Sequence, residues 1–204
     1  MGLPDNFLSV GGDGNVRCWW CGEDPLYVTY HDDEWGRRVT DDTRLFEKLI
    51  LEGFQSGLSW LTILRKRENF RAAFDDFDVE KIAAYTVVDV ERLLADAGIV
   101  RHRGKIESTI NNARRAIELA EGEGSVAMYV SQYAIDVPVR TDGVMPIRST
   151  SPESMAMSKD LKRRGWSFVG PTTMYAFMQA MGLVNDHLDG CWVQEECGPG
   201  SAPQ

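Results

Sequence analysis

Apolar positions along the chain recur at helical rather than alternating intervals. After Asp41-Asp42, both good helix caps, Leu45, Phe46, Leu49, Ile50 and Phe54 share one helical face. Ser56-Gly57 interrupts this pattern, and Ser59 caps a second predicted helix running towards Phe74. Asp78 starts a short helix through Ile82 and Ala83. Thr86 precedes another, with Val90, Leu93, Leu94 and Ala97 on its face and Gly98 as its stop. From about Arg103, the residues Ile106, Ile110, Ala113, Ile117 and Ala120 keep a helical rhythm, and Ser125 opens a short helix through Tyr129 and Tyr133. Ser151-Pro152-Glu153 is an N-terminus with proline at the first helical position, and Gly165 ends that helix. Gly170-Pro171 starts the last long helix, through Tyr175, Phe177, Met178 and Met181 to Gly182. "IDVPVRTDGVMPIRST" reads as a long loop, and residues 1–16 and 195–204 read as flexible tails. Convincing strands and internal repeats are absent. The pattern predicts one all-α domain over residues 17–194.

Composition narrows the function. A chain of 204 residues is long enough to bury one real core, and 43% hydrophobic with 26% charged residues is ordinary for a globular protein. The net charge of −9 argues against a generally cationic nucleic-acid binder while permitting a local basic face. No apolar run approaches the roughly 20 residues of a membrane span. The start lacks the layout of a signal peptide, and Asn6 stands where a myristoylation signal needs Ser or Thr. A cytoplasmic setting with reduced thiols follows as the expectation.

Two of the four cysteines form Cys18-Trp19-Trp20-Cys21, a spacing shared by redox catalysts and zinc sites. A redox motif of this type follows a strand inside a βαβ unit, and no strand is predicted here. A zinc ribbon needs a second C-x-x-C, which Cys191 and Cys197 do not supply. His187 and Cys191 stand four apart, on one face if the helix turns again there. Cys18 and His31 can add two ligands from the N-terminal segment, giving a closed, tetrahedral zinc site that clips the chain ends together. On spacing alone, a surface His31 with a small core Cys191 accounts for the pattern equally well.

"DPLYVTYHDDEWG", "LEGFQSGLSWLTILRKRENFRAAF", "DAGIVRHRGKI" and "FVGPTTMYAFMQAMGLVNDH" closely resemble the 3-methyladenine DNA glycosylase I family, over about residues 17–192. The resemblance implies an all-α fold of the helix-hairpin-helix glycosylase superfamily, with the hairpin at about 152–182. It implies a structural zinc ion joining the two ends, its ligands falling on Cys18, His31, His187 and Cys191. Cys21 and Cys197 lie outside that pattern.

The implied chemistry is hydrolysis of the N-glycosidic bond of 3-methyladenine in alkylated double-stranded DNA, by a monofunctional enzyme that initiates base excision repair. The base is cationic in DNA and leaves as a neutral molecule, so the leaving group is already good. The enzyme must flip the nucleotide out, recognise it and stabilise positive charge developing on the sugar. Aromatic faces and a carboxylate suit an electron-poor cationic base. Glu52 lies in the apolar stretch "LILEGF", where position alone suits a solvated or structurally paired carboxylate. By resemblance it is the pocket carboxylate, and Tyr30 and Trp60 are pocket walls. Trp20 and Tyr27 are candidate further walls, whereas Trp19 and Trp35 are expected to pack.

For DNA, "FVGPTTMYAF" resembles the superfamily's hairpin, with Gly170 at the turn and Thr172 and Thr173 in the first helical turn. Lys162, Arg163, Arg164, Arg101, Arg103 and Lys105 are expected to add positive charge beside it. Gly57 and Leu58 in "QSGLSW" are expected to form an apolar wedge at the gap left by the base. Asp186 stands where related glycosylases place a catalytic aspartate. The favoured reading is structural, orienting or capping the His187 turn, and a catalytic role is the alternative. A monomer, associated with the bacterial nucleoid through DNA and releasing 3-methyladenine, completes the expectation. Two other classes compete: a zinc-stapled DNA-binding module without catalysis, and a metal-dependent hydrolase, which needs an open zinc position.

Overall fold

The computed structural model describes residues 7–135 and 148–203. The predicted loop falls largely on residues 136–147, outside those described. The chain divides into a larger unit, residues 40–133 and 149–177, and a smaller one built from residues near both ends.

In the smaller unit, β1 (Leu8–Val10) pairs antiparallel with β2 (Val16–Cys18), setting Leu8 opposite Cys18 and Ser9 opposite Arg17. The chain is mostly helical, as expected, and this short hairpin is an addition to the helices. The physical reason is the turn: Gly14 takes a left-handed φ of +85°, and Gly11 and Asn15 close the hairpin through a 2.9 Å hydrogen bond. A 3₁₀ turn over Trp19–Cys21 leads to α1 (Pro25–Asp33). Asp24 caps α1 through Leu26 N–H, with Pro25 at the first position.

The C-terminal segment is tied to the same unit. Trp192 N–H donates to Val16 C=O at 2.9 Å, and Gly198 N–H to Gly36 C=O at 2.8 Å. Arg38 donates to Pro199 C=O at 2.9 Å, and Cys197 is buried.

The larger unit is helical throughout its described residues. It contains α2 (Asp42–Gln55), α3 (Trp60–Leu64), α4 (Arg67–Ala73), α5 (Val79–Ala83), α6 (Val87–Ala95), α7 (Arg103–Glu123), α8 (Val126–Ser131) and α9 (Pro152–Arg163). α10 (Pro171–Ala180) starts in this unit. Asp41, Ser59, Asp78, Thr86, Ser125 and Ser151 all cap the helices they were expected to open. The helix expected from Ser59 to Phe74 is instead two, because Lys66 leaves helical geometry at φ −104°, ψ 0°. Phe54, Phe70, Phe74 and Phe77 stack in the core with centroids 4.7–6.2 Å apart. α2 is fixed at both ends: Asp41 caps its start, and Lys105 Nζ donates to Phe54 and Ser56 carbonyls at 2.8 and 2.7 Å.

Gly182 shows how closely the smaller unit is packed. Its φ is +67°, and an added Cβ would lie 2.6 Å from the Arg37 carbonyl carbon and Arg38 nitrogen. Gly182→Ala should destabilise by about 2–4 kcal/mol, because backbone must yield as well as the dihedral. Gly14→Ala, with a similar φ and open space, should cost about 1–2 kcal/mol. Paired denaturant titrations compare them; equal losses would show that the close backbone contact carries no energy.

Candidate functional site

Four side chains of the smaller unit converge. Cys18 ends β2, His31 lies in α1, and His187 and Cys191 follow α10. Their ligand atoms all lie within 4.8 Å of one another, and all four residues are buried. Cys191 Sγ is 3.5 Å from His31 Nε2 and 3.5 Å from His187 Nδ1, and Cys18 Sγ is 3.7 Å from His187 Nδ1. Sulfur at about 2.3 Å and nitrogen at about 2.05 Å from a tetrahedral zinc stand about 3.6 Å apart. The residues therefore fit the ion, in both donor chemistry and spacing.

The second nitrogen of each imidazole fixes its tautomer. His31 Nδ1 is 2.8 Å from Asp32 Oδ1, and His187 Nε2 is 3.0 Å from Trp35 C=O. Carboxylate and carbonyl only accept, so each of those nitrogens carries the proton and the lone pair of the other faces the cluster. Arg17 holds Asp32 through contacts of 2.9 and 2.7 Å, and Trp192 Nε1–H donates to it at 3.1 Å. Burial pushes Asp32 up, but hydrogen bonds from Arg17, His31 and Trp192 hold it below the ordinary carboxylate value.

The thiols separate into two kinds. Contact with the Cys18 thiol, opposed by burial and helped by His187 and His31, pulls Cys191 far down, while the same contact and burial push Cys18 up. A dication between the two thiols can take the place of their protons and ionise both. Burial pushes Cys21 and Cys197 up to about 11 each, and Cys21 Sγ–H donates to Cys18 C=O at 3.2 Å. Both stand apart from the quartet.

Aromatic rings sheathe this cluster. Trp20 packs on Tyr27, His31 and Trp35 with centroids 5.2, 5.2 and 4.8 Å away. Trp35 lies edge-on to His187 at 4.6 Å, and Tyr27 stacks near Tyr30 at 6.3 Å. Tyr30 is buried, whereas Trp20 and Tyr27 are half-buried. Trp35, expected only to pack, therefore also supplies the carbonyl that orients a histidine.

Asp186 accepts from Gln179 Nε2 at 2.8 Å, while Asn185 Oδ1 accepts from the His187 backbone N–H. The carboxylate beside a ligand imidazole is Asp32. The signal was present in the sequence, since Asp32 directly follows a ligand.

In the larger unit, Glu52 on α2 and Trp60 at the start of α3 are both buried. Between them stands Lys48, one helical turn before Glu52. Its Nζ is 2.8 Å from Glu52 Oε1 and 3.1 Å above the Trp60 ring centroid. The structurally paired reading of Glu52 thus holds in part, and Lys48 is the residue that sequence reasoning missed. A lysine four positions before a carboxylate in an apolar stretch was the available signal.

Gly57 takes φ +84° in the turn after α2, and Leu58 beside it is 43% exposed. Gly170 precedes α10, with Thr172 exposed and Thr173 half-buried. An added Cβ at Gly170 would meet only Thr173 Oγ1, at 3.8 Å, so packing within the chain does not demand glycine there. The basic run is largely compensated: Arg163 pairs with Asp160, Arg164 with Asp160 and Glu123, and Arg103 with Glu91. Lys105 is buried, with its pKa lowered by desolvation, so it adds no surface charge. Arg101 and Lys162 of the same run are exposed. No helix among the described residues is long and apolar enough to cross a membrane.

Residues 20–194 match the model of a family described as methyladenine glycosylase. DNA-3-methyladenine glycosylase 1 of Escherichia coli (strain K12) is 49% identical over 189 residues, covering 92% of this chain and 99% of the relative. A solved structure of 3-methyladenine DNA glycosylase I from Staphylococcus aureus, concerned with 3-methyladenine recognition, superposes with a TM-score of 0.82. It shares 36% identity and covers 87% of this chain and 96% of its own. A variant of 3-methyladenine DNA glycosylase I in complex with 3-methyladenine superposes with a TM-score of 0.84 at 35% identity, over 89% and 99% of the two chains. With helices placed as in those relatives and the match running through nearly the whole chain, this protein belongs to the methyladenine glycosylase family, hydrolases that act on N-glycosyl bonds.

Proposed function

We propose that this enzyme excises 3-methyladenine from alkylated double-stranded DNA as a monofunctional glycosylase that flips the nucleotide out, with Glu52 and Trp60 recognising the base and Tyr30, Trp20 and Tyr27 as further base-binding residues. The observation that carries the reading is the buried Glu52 carboxylate, linked through Lys48 to the Trp60 face, in a chain of this family. A face rich in π electrons and a carboxylate are complementary to a cationic purine. In the reaction the glycosidic C–N bond breaks, its electron pair neutralises the base, and water adds to the sugar carbon and loses a proton. The residues bind and orient the base, while its own charge makes it a good leaving group. Gly170, Thr172 and Thr173 present backbone and hydroxyl donors to a DNA phosphate, and Leu58, turned out by Gly57, fills the gap left by the base. Asp186 has no catalytic task in this scheme.

The quartet Cys18, His31, His187 and Cys191 holds a structural zinc ion. Four protein ligands leave no open coordination position, so the ion clips the chain ends and takes no part in hydrolysis. This separates the reading from a metal-dependent hydrolase. The non-catalytic DNA-binding module is disfavoured by the costly burial of Glu52 beside Trp60.

Purified protein should carry about one zinc per chain. Cys191→Ser should lose metal and stability together, Cys21→Ser should lose neither, and Asp32→Asn should weaken zinc affinity about 10–100-fold. Metal analysis with chelator competition measures all three. Zinc kept in Cys18→Ser but lost in Cys21→Ser would overturn the ligand set.

Glu52→Gln keeps size and removes charge. It should lower single-turnover excision of 3-methyladenine by about 100-fold or more, by analogy with the loss of one charged site contact, with zinc content unchanged. Asp186→Asn should lose less. A larger loss in zinc-replete Asp186→Asn identifies an aspartate-driven mechanism instead.

If exposed Arg101 and Lys162 join the backbone donors at phosphate, DNA affinity should fall as salt rises despite the acidic whole. Gly170→Val should weaken duplex binding while leaving binding of the free base and the fold intact, because its Cβ finds open space within the chain. Unchanged duplex affinity removes the hairpin assignment.

A further inference from the structure

Lys48 is buried, and its ammonium satisfies two groups at once. It pairs with the Glu52 carboxylate at 2.8 Å and lies 3.1 Å over the Trp60 ring. The Lys48 and Glu52 side chains are 7% and 5% exposed, so neither charge is well solvated, and each needs the other. A positive group on an aromatic face with a carboxylate beside it is also what a cationic purine requires. The lysine therefore makes the contacts a bound base would make. Its four-carbon stem is flexible, and its charge sits at the tip, so the ammonium can leave the ring face without any helix moving.

We propose that Lys48 is an internal competitor for the base site: its ammonium occupies the Trp60 face and neutralises Glu52 when no base is bound, and a base binds only by displacing it. This inference rests on the assignment of Glu52 and Trp60 to base recognition. The device has two consequences. The empty site keeps its buried carboxylate paired, and affinity for the base, including the released product, is set below what Glu52 and Trp60 alone provide. A lysine with a purely structural role has the opposite sign. Removing it would loosen the site and weaken binding.

The test is calorimetric titration of the full-length, zinc-replete chain with 3,9-dimethyladenine, a purine of fixed positive charge. Lys48→Met, similar in length and uncharged, should bind this cation about ten-fold more tightly than the native protein, the scale of one desolvated cation–π contact. Its thermal midpoint without ligand should fall, because Glu52 loses its partner. Lys48→Arg keeps the charge and should show no such gain. If Lys48→Met does not fold, Lys48→Leu carries the same comparison. Unchanged or weaker binding in the uncharged variant overturns the competitor role. Failure of the underlying assignment looks different: Glu52→Gln and Trp60→Ala would then bind the cation as well as the native protein does.

Discussion

The hydrogen bond from His187 to the Trp35 carbonyl and that from His31 to Asp32 set the orientation of both histidines in the smaller unit. The first joins the segment around residue 190 to a residue 152 positions earlier, the second holds His31 against its own neighbour, and together they leave both free imidazole lone pairs facing the thiols. The apolar material around this junction is modest: Cys18, Cys191, Val193 and Cys197, with Leu8, Trp20 and Leu188 packed against them. So small a cluster holds distant segments weakly by burial alone. A dication on the quartet would supply the missing stabilisation, and the surrounding bonds already present its ligands in the right protonation state. Gly36 completes the arrangement. Its φ is +82°, and a Cβ there would come within 2.8 Å of His187 Nε2, so glycine leaves room for the ring to reach the Trp35 carbonyl.

Charge is handled economically in the larger unit. Arg103, Arg163 and Arg164 are engaged with carboxylates, and Lys105 secures the last carbonyls of α2. With a net charge of −9, the protein has little general field with which to attract DNA. On the proposed reading, attraction to phosphate falls to oriented backbone donors near Gly170, which act at contact distance and carry no counter-charge of their own. Fixed donors confer register rather than long-range steering.

Most of the helical frame was legible in the sequence because most of the helices carry a side-chain cap, and a cap is local. Thr86 with Asp89 and Ser151 with Ser154 form reciprocal boxes, and His102 caps α7. α1 went unpredicted although Asp24-Pro25 is a sound start, because "PLYVTYHDD" lacks an apolar stripe and its buried residues are Tyr30, His31 and Asp32. The hairpin was hidden for a related reason: its three-residue strands are fixed by glycine turns and by contact with Trp192, which no window of sequence displays. The quartet was legible as one of two readings. Asp32 and Lys48 were not, since each acts through a neighbour whose role had to be known first.

Glu52, Trp60 and Lys48 together say something about where selection acts in a reaction whose leaving group is already activated. Binding that is equally strong in substrate and transition state lowers KM without raising kcat, so extra affinity for the base has little value for the chemical step. It also slows departure of the product. A buried carboxylate with no internal partner would hold any cationic purine tightly and would destabilise the empty protein. Placing an ammonium one turn away on the same helix addresses both effects with a single side chain. On this reading the site is tuned to recognise a charge that cleavage itself removes.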